Sequence, residues 1–204
     1  MGVRRPVNRV DRMRESLNCD GRLGLALLLA CVVLLVPALA GEAARLALRY
    51  DRAALAHGEL WRLITAHWVH LNFRHALLNA LGLALMWALF ARDYAPRQWL
   101  LIVLAALLAI DAGLWLLDST VQWYVGSSGA LHGVMAAGTL AHLRRRERSG
   151  GVLLLFLAGK LLYEQRIGPL PLSGDAPVVV DAHLFGVLGG LAAALPLRPR
   201  ALPL

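Results

Sequence analysis

Gly126-Ser127-Ser128-Gly129-Ala130-Leu131-His132-Gly133 is the stretch on which the reading of this 204-residue chain turns. It is small and glycine-rich, and it leads into an apolar run that continues to Arg144, so it reads as the mouth of a membrane helix. A hydroxyl at such a depth is costly in lipid unless it serves a site. A second opening of the same kind, Asp181-Ala182-His183-Leu184-Phe185-Gly186, carries an imidazole into another apolar stretch.

Outward from these two segments the whole chain is apolar. Hydrophobic residues make up 58% and the mean hydropathy is +0.59, too high for an ordinary soluble domain of this size. A transmembrane helix needs about 20 mostly apolar residues, and six windows satisfy this approximately, at 23–40, 75–91, 98–117, 128–143, 151–165 and 177–196. The predicted fold is an all-α membrane protein, a bundle of six transmembrane helices. Residues 1–22 form a basic cytoplasmic tail, 23–197 the transmembrane domain and 198–204 a short second tail.

The net charge of +8 is distributed as a topology signal rather than as a nucleic-acid footprint. Arg4, Arg5, Arg9, Arg12, Arg14 and Arg22 precede the first window. Arg92 and Arg97 follow the second, Arg144, Arg145, Arg146 and Arg148 the fourth, and Arg198 and Arg200 the last. If the spans alternate, these fourteen of the 21 basic residues share one side, which places both termini in the cytoplasm of a bacterial-type inner membrane. No nucleic-acid motif accompanies the charge, so no nucleic-acid partner is expected. Arg45, Arg49, Arg52, Arg62 and Arg74 crowd the long connection 41–74, which is read as an interfacial loop anchored by Trp61 and Trp68.

The remaining features are read more plainly. Cys19 and Cys31 make no disulfide framework or redox motif. Ala38-Leu39-Ala40 resembles a signal-peptide cleavage site, but the first window is expected to be retained. Asp111 is expected to reach water near the outer end of its span, and Lys160 to snorkel to the outer interface. The segment 118–127 can dip below the membrane surface only beside protein or a wet cavity, and 166–177 is a turn-rich segment able to move.

The chemistry follows from the two mouths. Gly129 and Gly133, and likewise Gly186 and Gly190, have the spacing that lets membrane helices approach closely, which would bring hydroxyl and imidazole together. A serine becomes a nucleophile when a histidine removes its proton. A helix start adds unpaired backbone N–H groups facing a developing oxyanion. Ser127 competes as nucleophile, and Ser128 is better placed to begin the helix. His132, one turn after Ser128, competes with His183 as base, but would point alongside the hydroxyl and instead hydrogen-bond within the helix bundle or shape a specificity pocket. His75 and Asn79 share one helical face and can supply donors to the same charge. Metal binding is disfavoured: there is no HExxH, and His67, His70 and His75 place no three ligands on one face.

With these residues in order, the sequence resembles the rhomboid intramembrane serine proteases. The resemblance rests on Trp61-Arg62, on His70, His75 and Asn79 in the pattern H-x-x-x-x-H-x-x-x-N, on Gly126-x-Ser128-Gly129, and on Ala182-His183-x-x-Gly186. It implies a six-helix rhomboid-like bundle, Ser128 as nucleophile, His183 as general base, and an oxyanion hole of His75, Asn79 and the Ser128 N–H, with no cofactor. His70, His132, Gly126 and Gly129 are the residues expected to shape the site or contact substrate. Within that family, Ser-Gly-x-Leu-His-Gly at 128–133 and Asp-Ala-His-Leu at 181–184 are similar to rhombosortase. That similarity implies an exported substrate held in the bilayer by a C-terminal Gly-Gly-type transmembrane anchor. The rival readings are a non-catalytic rhomboid relative that binds membrane helices, and a small transporter.

Overall fold

The computed structural model describes residues 24–170 and 178–200. The first predicted tail, residues 201–204 of the second and most of the turn-rich segment 166–177 therefore lie outside the described residues. Helices occupy all six predicted windows. They are α1 (Gly24–Leu35), α5 (Phe73–Phe90), α6 (Pro96–Leu116), α7 (Ser128–Arg144), α8 (Arg148–Arg166) and α9 (Asp181–Ala194), and three short helices fall between α1 and α5: α2 (Gly41–Leu48), α3 (Arg52–Ala56) and α4 (Arg62–Thr65).

Among the described residues, α5 and α6 are by themselves long and apolar enough to cross a membrane. The first window does not form one straight helix. The α-helical part ends at Leu35, a 3-10 turn containing Pro37 covers Val36–Leu39, and α2 leaves at 108°. Proline supplies the break, since it cannot donate the helical hydrogen bond and clashes with the preceding turn. α7 and α9 are shorter, at 17 and 14 residues, and α8 carries Lys160 and Glu164 within its apolar run.

Local chemistry fixes the helix starts. The Asn72 side chain accepts the His75 N–H at 2.9 Å and so caps α5. Pro96 sits in the first turn of α6, where its missing donor costs nothing, and Gln98 accepts the Ala95 N–H at 2.8 Å. The all-α expectation misses a small antiparallel bridge between β1 (Tyr50–Asp51) and β2 (Trp123–Tyr124), in which Tyr50 faces Tyr124 and Asp51 faces Trp123. Arg52 reinforces it by donating to the carbonyls of Leu114 and Trp115 at the end of α6 and of Asp118 and Val121 just after it. The long first connection is thereby tied to the segment that leads into Ser128.

At the centre, α9 packs intimately against α7 and α6. A side chain on Gly129 would come within 2.7 Å of the Ala182 carbonyl, one on Gly133 within 2.6 Å of the Gly186 carbonyl, and one on Gly186 would run into Gly129 itself. The glycines predicted to bring helices together do so, backbone against backbone. Elsewhere the bundle is looser: α5 packs on α1 and α7 but scarcely touches α8.

Candidate active site

Ser128 is the first residue of α7 and His183 lies in the first turn of α9. The glycine seam holds these two helix starts at one depth, and Ser128 Oγ lies 3.0 Å from His183 Nε2. His183 is 4% exposed and Ser128 half-buried, so the contact is sheltered on the histidine side and open to the cavity on the serine side.

The other nitrogen of His183 is also engaged. Nδ1 lies 2.9 Å from Glu164 Oε2, and the second oxygen of Glu164 lies 2.6 Å from Lys160 Nζ. Lys160 therefore does not snorkel to the interface as expected; it is drawn inward by a carboxylate one turn along α8. Glu164 itself escaped the sequence reading. Lys and Glu four residues apart inside an apolar helix were the available signal, because two such charges are tolerated there when they pair.

His132 is on the same face of α7 as Ser128, yet it does not face the hydroxyl. Its Nδ1 lies 2.7 Å from the Ser128 carbonyl, and its ring stacks on that of His183 with centroids 4.1 Å apart and planes 21° from parallel. Ser127, the competing nucleophile, points elsewhere: its hydroxyl donates to Asn79 Oδ1 at 3.3 Å and lies 3.4 Å from His70 Nε2.

His75 and Asn79 meet the same region from α5. His75 Nδ1 accepts the Leu71 N–H at 3.5 Å, which leaves its Nε2 as the donor nitrogen. The Asn79 amide donates to the His75 carbonyl at 2.9 Å and has a second N–H remaining. The His75 ring rests against Gly126, whose φ of +114° and bare Cα allow that approach. Tyr124 donates to the Gly126 carbonyl at 2.5 Å, and the Gly126 N–H donates to Ala66 O at 2.9 Å, so the turn before Ser128 is pinned on both sides. His70 sits 5.3 Å from the His75 ring; burial and that neighbour push it down to about 4.

A cavity of 320 Å³ opens over these groups, lined by His75, Asn79, Ser128, His132 and His183 together with Leu78, Met86, Leu131, Met135 and Phe156. An apolar wall with a few convergent polar groups is the usual form of a site that accepts an organic ligand. Asp111 takes no part. It is 8% exposed and 3.2 Å from His67 Nε2, so the expectation that it reaches water fails; α6 turns it inward against the first connection. Donor atoms of His132, Glu164 and His183 fall within 4.8 Å of one another. Both His183 nitrogens and both Glu164 oxygens are already engaged by Ser128, Glu164, His183 and Lys160, which favours a proton-handling array over a metal centre.

Apolar helices around a partly buried serine–histidine contact beside a cavity define a helical membrane protein. The Rhomboid domain model matches residues 57–200, and the chain belongs to the rhomboid family. Together with its apolar helices, this makes it a multi-pass membrane protein. The chain is similar to YdcA of Bacillus subtilis (strain 168), provisionally named a rhomboid protease, at 26% identity over 136 residues, 67% of this chain and 66% of that protein. It is also similar to the rhomboid protease GluP of the same organism, at 26% identity over 148 residues, 71% of this chain but 27% of GluP. The chain thus spans less than two thirds of the length of either relative.

Proposed function

We propose that this protein is an intramembrane serine endopeptidase in which Ser128 is the nucleophile and His183 the general base. The observation that carries the reading is the 3.0 Å contact between Ser128 Oγ and His183 Nε2 at the floor of the cavity. His183 removes the Ser128 proton as Oγ bonds to the substrate carbonyl carbon. The resulting oxyanion lies toward the start of α7, where the Ser128 N–H and the side chains of His75 and Asn79 can donate to it. His183 then passes its proton to the leaving nitrogen as the C–N bond breaks, and repeats the base role for water in deacylation.

The proposed topology is six spans with both termini in the cytoplasm and the site toward the outer side of a bacterial-type inner membrane, with 23–197 as the transmembrane domain. The basic residues after the second and fourth windows support it. The substrate is a membrane-anchored protein whose helix enters where α5 and α8 barely meet and unwinds near small residues. The rhombosortase-like runs at 128–133 and 181–184 support a C-terminal Gly-Gly-type anchor as the preferred substrate.

Co-expression with a Gly-Gly-anchored exported protein tests the assignment. The intact protein should release the anchor and S128A should leave it uncut while still inserting in the membrane; release by S128A would refute the nucleophile. A reporter with an unrelated transmembrane anchor cut equally well would refute the substrate preference alone.

A further inference from the structure

We infer that Glu164 is a positioning residue that converts the Ser128–His183 pair into a Ser–His–Glu triad, with Lys160 holding the carboxylate in place. The inference rests on the protease reading and adds to it a third member from a different helix.

The contacts argue for this role. A carboxylate accepts hydrogen bonds and cannot donate them. With an ammonium 2.6 Å from Oε1, Glu164 meets His183 as an acceptor, so the 2.9 Å contact requires the proton of neutral His183 to sit on Nδ1. Nε2 is then the lone-pair nitrogen, and it is the atom that lies 3.0 Å from Ser128 Oγ. Glu164 therefore selects the one tautomer able to take the serine proton. As that proton arrives, Oγ bonds to carbon and His183 becomes an imidazolium flanked by a carboxylate. Glu164 takes up no proton; it orients the ring and balances its charge.

Burial argues the same way. Glu164 is 4% exposed although it stands near the polar end of α8, and Lys160 is largely covered. A purely structural ion pair would need one oxygen of Glu164, whereas here the second is aimed at the base. The stacked His132 covers one face of the imidazole, so ring position is set at the edge by Glu164 and across the face by His132.

The test uses the full-length protein in detergent and a fluorophosphonate probe, with kinact and KI obtained from the concentration dependence of labelling. E164Q should lower kinact by about 10²- to 10⁴-fold with KI unchanged, because an amide can donate to Nδ1 and stabilise the wrong tautomer. E164D, which keeps the charge but sets it one methylene further away, should recover about tenfold of that loss while staying below the wild-type rate. A purely structural role would not produce this split or this rescue. If E164Q does not fold, E164D decides: a kinact lowered about tenfold at unchanged KI supports the triad, and a wild-type kinact overturns it. E164Q labelled at the wild-type rate also overturns it. Absence of Ser128 labelling in the wild-type protein would instead refute the protease reading on which the triad rests.

Discussion

The imidazoles of His132 and His183 lie face to face, 4.1 Å apart and 21° from parallel, although they belong to different helices. The contact restrains His183 from swinging away from Ser128. Offset aromatic pairs contribute about 0.5–1.5 kcal/mol beyond burial. H132A should lower kcat by about 2- to 12-fold with little change in KM, and H132F, which keeps a flat ring, should retain most of the activity. Steady-state cleavage of an anchored reporter distinguishes the two.

His75 lines the cavity from α5 and has Nε2 as its donor nitrogen. Removing one oxyanion donor typically costs about 10²- to 10³-fold in kcat. H75A should show a loss of that order with KM nearly unchanged. N79A should show a smaller loss, because part of its amide is already spent on the His75 carbonyl.

The glycine seam predicts a stability phenotype. A side chain at Gly186 meets the Gly129 backbone, which cannot move aside as a flexible side chain could. Overpacking of this kind costs about 1–3 kcal/mol or more. G186V should lower the Tm in detergent by several degrees, and it should abolish Ser128 labelling by parting the two helix starts. G151V, at a position open to its surroundings, should do neither.

His70 gives the fold a pH dependence. Its ordinary value of 6.5 falls to about 4 through burial and the adjacent His75. Between those limits the unfolded chain binds more protons than the folded one, so stability rises with pH across this window and is lost as pH drops through it. Tm measured from pH 4 to pH 7 should increase, and H70Q should flatten the rise.

Much of the site was legible because membrane helices punish polar residues. Ser128 and His183 stood out against apolar flanks, and the paired glycine spacings gave a reason for them to meet. Glu164 was missed because its counterpart Lys160, taken alone, is explained by its side chain reaching the interface; only the neighbouring helix shows where the carboxylate points. Asp111 was misjudged for the same reason, since its partner His67 is 44 residues away in the chain. The two-residue bridge from Tyr50 and Asp51 to Trp123 and Tyr124 carries no periodicity to read, and it depends on loops meeting across the fold. Pro37 was the available signal for the break in the first apolar run, which was read as one span, and the 108° turn after it has no counterpart in the apolar pattern.

The weak contact between α5 and α8 has a consequence for how the surroundings govern the rate. On the proposed function, whatever hydrocarbon fills that flank must leave before a peptide can reach Ser128. Acyl chains then act as competitors whose length and saturation set the apparent affinity, and turnover becomes a property of the bilayer as much as of the polypeptide.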